Sequence, residues 1–177
     1  MQRLVLTLLI ALLPPMTHAL PPSPAQFFAE DVSLTDCGSG EVRALRFFRV
    51  GEATLASARC DGDLNPPLRL LFRYRRDVPG DAFGKAAETM IGRNISEDAF
   101  RQLKPRLQAF NSHYRDIGAG DVYQLDYAAD GRLLLSLHGH GQPLVMEQGD
   151  DFARAYLTIW FGERPYSTDL KQALLGQ

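Results

Sequence analysis

The sequence predicts an α+β fold, in which helices cover one face of an antiparallel sheet. The stretch "LRLLFRYR", which begins at Leu68, alternates apolar and arginine residues with a period of two. That period places one face of a strand in the core and the other in water. The predicted elements run in the order strands, helices, strands, helices, an order typical of a sheet covered by helices.

Two strands are expected before Leu68. The first is short and covers residues 31–35, and the second covers residues 43–56 with a break near Gly51. The segment "CGSG" between them contains two glycines, so we interpret it as a break in the chain. The stretch "CDGDLNPP" combines Asp-Gly with Pro-Pro and predicts a turn-rich connection to the strand at Leu68.

Two helices are expected in the middle of the chain. Pro79 and Asp81 open the first helix, and Ser96 is a good N-cap for the second. The apolar residues of the second helix recur at helical spacing up to Phe110. Pro105 lies inside it and is expected to kink it or to remove one backbone hydrogen bond.

The last third of the chain predicts more strands and then two more helices. The stretch "GDVYQLDYAADGRLLLSLHGHG" is typical of a hairpin with an Asp-Gly turn, and "PLVMEQ" predicts one more strand. An apolar stripe that includes Tyr156 and Trp160 predicts an amphipathic helix that ends at Gly162. Ser167 or Thr168 then caps a short final helix.

The amino terminus indicates secretion. "MQRLVLTLLIALLPPMTHA" has a basic start, an apolar run and a small-residue end, which is the layout of a signal peptide. We therefore expect a signal peptide over residues 1–19 and a single domain over residues 20–177. The apolar run is too short to span a bilayer and no cysteine follows the cleavage site, so no stable membrane anchor is expected. Abundant arginine with few lysines suggests a GC-rich bacterial genome, and hence the periplasm.

Charge and cysteine content narrow the function further. The net charge of −2 gives no reason to expect a nucleic-acid partner. The two cysteines, Cys37 and Cys60, either form a disulfide, which an oxidising compartment allows, or remain as two buried thiols. Both alternatives stay open from the sequence. No phosphate-binding loop, dinucleotide motif or nucleophile elbow occurs, so no cofactor is expected.

Histidines and aspartates offer weaker signals. His138 and His140 form an H-x-H pair at a strand end without an evident third ligand, so no metal site is expected. They share a strand face with Ser136, which we expect to face water. Asp150 and Asp151 precede a helix, where capping and the helix dipole explain them better than catalysis does.

Three segments together resemble a known family. They are "GSGEVRALRFFRVGEATL", "GDVYQLDYAADGRLLLSLHG" and "DFARAYLTIWFGERPYSTDLKQALLG", and their order and spacing are similar to those of the chalcone isomerase-like proteins, in particular a small secreted bacterial branch. The resemblance implies an open-faced β-sandwich, with a large antiparallel sheet wrapped by helices. It also implies a cleft between the sheet and the helices.

The resemblance implies a function without isomerase activity. Arg43 matches the arginine that holds the phenolate in true isomerases. A threonine expected on the next strand falls at about Gly51, and a late threonine or serine falls near Ile159. One retained arginine does not supply the polar network that the cyclisation needs. We therefore expect no catalytic residue of the isomerase type beyond Arg43.

Arg43 has two alternative roles. If it points into the cleft it needs an anion, and a carboxylate suits a guanidinium best through two parallel hydrogen bonds. That anion is either the head group of a ligand, as in fatty-acid-binding relatives, or an internal Asp or Glu. For the first alternative the ligand contacts are expected from Arg43, Phe47, Tyr74 and Trp160.

Three functional hypotheses follow. The first is a periplasmic, non-catalytic binding protein for a small amphipathic or fatty-acid-like carboxylate held between sheet and helices. The second is an enzyme with isomerase or lyase chemistry on another substrate. The third is a structural or interaction protein whose cleft has closed. A fold alone does not choose among them, because one fold carries many functions.

Overall fold

The structure is a computed structural model that describes residues 27–28, 32–44, 47–141 and 143–177. The expected signal peptide over residues 1–19 lies outside the described residues. Within them, no helix has the length and apolar character needed to cross a bilayer.

Six strands and four helices make up the described chain, in the order β β β α α β β β α α. Their bounds are β1 Thr35–Ala44, β2 Phe48–Ser57, β3 Leu68–Tyr74, α1 Gly80–Asn94, α2 Glu97–Asn111, β4 Val122–Tyr127, β5 Arg132–Leu137, β6 Val145–Gln148, α3 Asp150–Phe161 and α4 Thr168–Leu174.

The strands form one open antiparallel sheet in sequence order, β1-β2-β3-β4-β5-β6. Each strand pairs with its neighbour along the chain. Helices α1 and α2 connect β3 to β4, and the other neighbouring strands are joined directly. The main core lies between one face of this sheet and the helices. The predicted α+β class, an antiparallel sheet covered by helices, is confirmed.

The alternation in β3 has the predicted consequence. Leu68, Leu70, Phe72 and Tyr74 are all buried, whereas Arg73 between the last two is exposed. Since every second side chain of a strand points to the same face, these four form a continuous apolar row under the helices.

The prediction for the first two strands is wrong in its boundaries. The glycine-containing segment that we interpreted as a break lies inside β1, and the turn falls between Ala44 and Phe48, where a continuous strand was expected. A Cβ on Gly38 would overlap the carbonyl oxygen of Ala173, and one on Gly40 would lie 2.9 Å from the Ala173 Cβ. These glycines therefore allow α4 to approach β1 closely rather than breaking the strand.

The helix signals place the helices well. The Ser96 side chain accepts a hydrogen bond from the Ala99 backbone N–H, and Ser167 caps α4 in the same way. Gly162 follows the last residue of α3, as expected. α2 continues through Pro105 as one helix. The N-cap of α3 is Gly149, with no side-chain cap. The capping part of the prediction for Asp150 and Asp151 is therefore wrong, but both lie in the acidic first turn of α3, as the helix-dipole part requires. Asp150 accepts a hydrogen bond from a tyrosine of β4 and Asp151 pairs with an arginine of α2.

The opposite face of the sheet carries a buried polar cluster, which corrects the expectation that Ser136 faces water. Asp126 is fully buried and accepts hydrogen bonds from Arg69, at 2.6 and 3.2 Å, and from Gln124 at 2.6 Å. His138 Nε2 lies 2.8 Å from the Gln124 side-chain oxygen, so this histidine already has a partner. Ser136 is buried beside them.

Cys37 and Cys60 form a disulfide, with a Cα–Cα distance of 5.2 Å. The bond ties β1 to the connection between β2 and β3. Of the two alternatives left open by the sequence, the structure contains the bonded one. Within the described residues no group of three or more histidines, cysteines or acidic residues could hold a metal ion.

Candidate ligand-binding cavity

A cavity of about 250 Å³ lies between the sheet and helices α1 and α3. The sheet contributes apolar side chains from five strands, and α1 contributes a row of small residues. Leu125 and Leu135 are fully buried at the floor, and Ala87 closes it from the helix side. The small residues of α1 leave the space that a larger side chain would fill.

Aromatic rings form much of the cavity wall. The Trp160 ring packs on Phe72, with centroids 4.9 Å apart. Phe83 stacks on Tyr114 at 5.0 Å and meets Tyr123 edge-on at 5.3 Å. These pairs lock the rings against each other, so the wall is formed by packed side chains from the sheet, α1 and α3.

One side of the cavity carries a short chain of hydroxyl groups. The Tyr156 hydroxyl donates to the Asn111 side-chain oxygen at 2.9 Å, and the Tyr114 hydroxyl lies 3.0 Å from the Tyr156 oxygen. Since Tyr156 uses its only proton on Asn111, Tyr114 is the donor to Tyr156. The Asn111 side-chain nitrogen is buried without a hydrogen-bond partner among the described residues.

Burial keeps these phenols neutral. Desolvation raises the pKa of Tyr114 well above its ordinary value and also raises the pKa of Tyr156, because the charged phenolate is disfavoured away from water. Desolvation raises the pKa of Tyr74 in the same way. At neutral pH the tyrosines therefore act as hydrogen-bonding groups and not as bases.

The mouth of the cavity is identified by which lining residues reach the surface. Ala44, Val50, Ala82 and Tyr166 are partly or fully exposed, whereas the floor is fully buried. The Tyr166 hydroxyl donates to the Arg43 carbonyl oxygen at 2.7 Å. The opening therefore lies between the β1–β2 hairpin, α1 and the segment that follows α3.

The four predicted ligand contacts divide into two pairs. Tyr74 and Trp160 line the cavity, Tyr74 from the end of β3 and Trp160 from α3. Arg43 and Phe47 are not among its lining residues. Phe47 lies in the β1–β2 turn and is 86% exposed.

Arg43 belongs to a surface ion-pair cluster. Its flanking residues Val42 and Ala44 line the cavity, so strand alternation turns Arg43 to the opposite face. Its guanidinium contacts Glu41 through Nε at 2.9 Å and Nη2 at 2.7 Å, and its side chain is 56% exposed. Arg49 also pairs with Glu41. The anion beside Arg43 is thus a glutamate of the same strand.

Sequence reasoning missed the hydroxyl chain. In the sequence, Tyr156 stands out only as part of the apolar stripe of an amphipathic helix, which is typical of core packing. Asn111 and Tyr114 fall at and just after the end of α2. The only available signal was an Asn and a Tyr directly after an amphipathic helix. A pattern of that kind does not tell which way the two side chains point.

The lining residues limit the chemistry of the site. Among the residues that line this cavity, none is Asp, Glu, His, Lys, Arg or Cys. The polar groups are tyrosine hydroxyls and, behind them, Asn111. Such a site favours an apolar molecule with at most a few hydrogen-bonding groups.

The fold and the cavity together define a protein with room for a small, mostly apolar molecule between a sheet and its helices. The sequence profile of the chalcone isomerase-like family matches residues 51–176, so the chain belongs to that family. A search of curated proteins found no significant match.

A solved structure shares the fold. It is a fatty-acid binding protein from Arabidopsis thaliana, with a TM-score of 0.59 and 15% sequence identity. The similarity covers 81% of this chain and 87% of that protein. At this identity the likeness shows the fold, and the predicted chalcone isomerase-type architecture is confirmed.

Proposed function

We propose that this protein is a non-enzymatic binding protein that holds a small, fatty-acid-like ligand in the cavity between the sheet and helices α1 and α3. The apolar cavity of about 250 Å³ is the observation that carries the proposal. The shared fold with a fatty-acid binding protein supports it.

The cavity volume favours a short or medium acyl chain. It lies just below the roughly 300–1,000 Å³ of sites for drug-sized molecules. Each buried methylene contributes about 0.8 kcal/mol before the cost of ordering the chain. A chain of eight to ten carbons would fill the cavity from the floor at Leu125 and Leu135 to the mouth.

The carboxylate of such a ligand would remain at the mouth. Burying an unpaired carboxylate is very costly, and no lining residue carries a positive charge. Arg43 is already paired with Glu41 on the other face of β1. We therefore propose that the tail supplies the affinity and that the head group stays in water beside Tyr166.

The same residues favour binding over catalysis. Acid–base catalysis near neutral pH needs a group whose pKa lies close to that pH, and the lining tyrosines have pKa values raised by burial. The resemblance implies that two positions where the isomerases carry hydroxyl side chains fall at about Gly51 and near Ile159 here. Ile159 lines the cavity as an apolar residue.

We further propose a bacterial periplasmic location. The signal-peptide pattern of residues 1–19 motivates it. The Cys37–Cys60 disulfide agrees with an oxidising compartment.

Tryptophan fluorescence tests the proposal directly, because Trp160 is the only tryptophan of the chain and lies in the cavity wall. Decanoic acid and decanol are titrated into residues 20–177. We expect both to shift the Trp160 emission saturably and with similar affinity, since the head group stays solvated. Native mass spectrometry should show a one-to-one adduct of unchanged ligand mass.

Three variants test whether the ligand binds in this cavity and whether Arg43 contacts its head group. Ala86→Phe, at the mouth, should abolish binding, while Ala109→Phe on the exposed side of α2 should not change it. Arg43→Ala should also leave the affinity unchanged. Absence of any saturable shift in the wild type refutes the binding function. Loss of acid binding in Arg43→Ala, with decanol unaffected, would instead place the head group on Arg43.

A further inference from the structure

The tip of the β1–β2 hairpin exposes two adjacent phenylalanines. Phe47 is 86% exposed and Phe48 is 57% exposed. In the described part of the chain the remaining exposed large apolar residue is Met146, at 40%, on β6 at the far edge of the sheet. Exposed apolar residues that stand singly are ordinary, whereas neighbouring ones are a candidate binding surface.

Arginines lie on the same hairpin as the two rings and next to it. On β1 and β2, Arg43 and Arg49 share the single carboxylate of Glu41. Just after the neighbouring strand β3, the Arg75 Nη2 atom lies 3.7 Å from the Glu52 Oε2 atom. The Arg76 side chain donates a hydrogen bond to the Arg49 carbonyl oxygen. A fifth arginine, at position 73, is exposed on β3 opposite Glu52 in the strand register. The described residues of 41–52 and 73–76 thus include five arginines and two glutamates.

Two aspartates near the end of β3 reduce this positive charge without cancelling it. Asp77 lies against Gly118, and Asp121 bonds to the Gly118 backbone N–H at 2.8 Å. That turn leads into β4, which is separated from the hairpin by β3. The tip thus combines two apolar rings with a local excess of positive charge.

The tip also borders the mouth of the cavity. Ala44, which ends β1 before the turn, and Val50, the third residue of β2, both line the cavity. Phe48 pairs with Ala44 in the strand register. Tyr166, which lines the cavity, is hydrogen-bonded to the Arg43 carbonyl oxygen at the base of the tip. A surface bound to the two rings would therefore lie beside the cavity opening.

We propose that the hairpin tip docks on the surface of a lipid bilayer that contains anionic lipids. Phe47 and Phe48 would insert at the level of the head groups, and the arginines would contact lipid phosphates. Docking would bring the cavity mouth next to the bilayer, which is the source of acyl chains. This binding is peripheral and reversible, and its role in ligand transfer rests on the proposed function.

Vesicle flotation tests the docking with the protein of residues 20–177. Vesicles of phosphatidylcholine alone are compared with vesicles that also contain phosphatidylglycerol. We expect binding only to the anionic vesicles, with loss of binding as salt concentration rises. The double variant Phe47→Ser/Phe48→Ser should bind about tenfold or more weakly, because two buried aromatic rings dominate the partitioning. Arg49→Gln/Arg76→Gln should weaken binding to anionic vesicles.

Met146→Ser is the matched control, since it removes the third exposed apolar side chain away from the tip. Equal flotation of wild type and the double phenylalanine variant overturns the proposal, and so does an equal loss in Met146→Ser. Sedimentation velocity tests whether a second copy of the protein binds the tip instead. If the wild type forms a concentration-dependent dimer that the double variant does not form, and vesicles are not bound, the tip is a self-association surface and membrane docking is refuted.

Ligand binding separates this proposal from the proposed function. Decanol titrations without vesicles depend on the cavity alone, so the double variant and the wild type should give the same affinity. If flotation fails while the titration succeeds, only the docking is refuted. If the titration fails while flotation succeeds, the binding function is refuted and the docking remains.

Discussion

Filling the cavity should stabilise the protein. Ala87 lies on α1, is buried, and lines the cavity, so Ala87→Leu would place three additional carbon atoms in empty apolar space. At about 0.8 kcal/mol per buried carbon, the substitution should raise the free energy of unfolding by about 2 kcal/mol. Helix propensity changes little between Ala and Leu, so it does not obscure the effect.

Urea denaturation followed by circular dichroism measures this change, and the decanol titration is repeated on the same variant. We expect the midpoint to rise while the affinity for decanol falls at least tenfold, because the added side chain occupies part of the volume that the ligand needs.

Ala153→Leu provides the control. Ala153 is also a fully buried helical alanine, but it does not line the cavity. Leucine there should overpack the core and lower the stability by about 1–3 kcal/mol. If Ala87→Leu destabilises the protein as much as Ala153→Leu does, and leaves the decanol affinity unchanged, the space beside Ala87 is not an accessible cavity and the reasoning is refuted.

Three further variants test the framework around the site. Asp126→Asn should lower the free energy of unfolding in urea by about 1–2 kcal/mol, because it weakens the hydrogen bonds from Arg69, while burial already disfavours the charged form of Asp126 and raises its pKa; an unchanged midpoint would contradict this. Replacing Cys37 and Cys60 by serine should cost about 3 kcal/mol, given the 23-residue separation that the bond closes, and reducing agent should then have no further effect. Gly51→Ala should lower the melting temperature in a thermal scan, because its Cβ would overlap a carbonyl oxygen of β3.

Local patterns predicted most of the fold. The alternation from Leu68 to Tyr74 identified a strand and its buried face, because side-chain direction in a strand follows directly from position. Ser96 identified the start of α2 because its hydroxyl satisfies a backbone N–H that the helix leaves free. Signals of this kind depend only on residues a few positions apart.

The misplaced elements depend on distant contacts. Gly38 and Gly40 are strand residues because they pair with β2, and they carry no side chain because α4, more than a hundred residues later, packs against them. The direction of Arg43 followed from the position of the turn, so the boundary error also affected the predicted site. Asn111 and Tyr114 join the hydroxyl chain because α3 brings Tyr156 within hydrogen-bonding distance of both.

β1, the strand that forms one rim of the cavity, is held in place by contacts along its length. The disulfide holds it at Cys37, α4 packs on it at Gly40, and the Tyr166 hydroxyl holds it at Arg43. The contacts made by α4 and Tyr166 come from the carboxyl-terminal end of the chain. A ligand that binds only while β1 keeps this position must, by thermodynamic linkage, also stabilise the packing of α4 against β1. Hydrogen exchange in the amides of α4, which do not line the cavity, should therefore slow when the cavity is occupied.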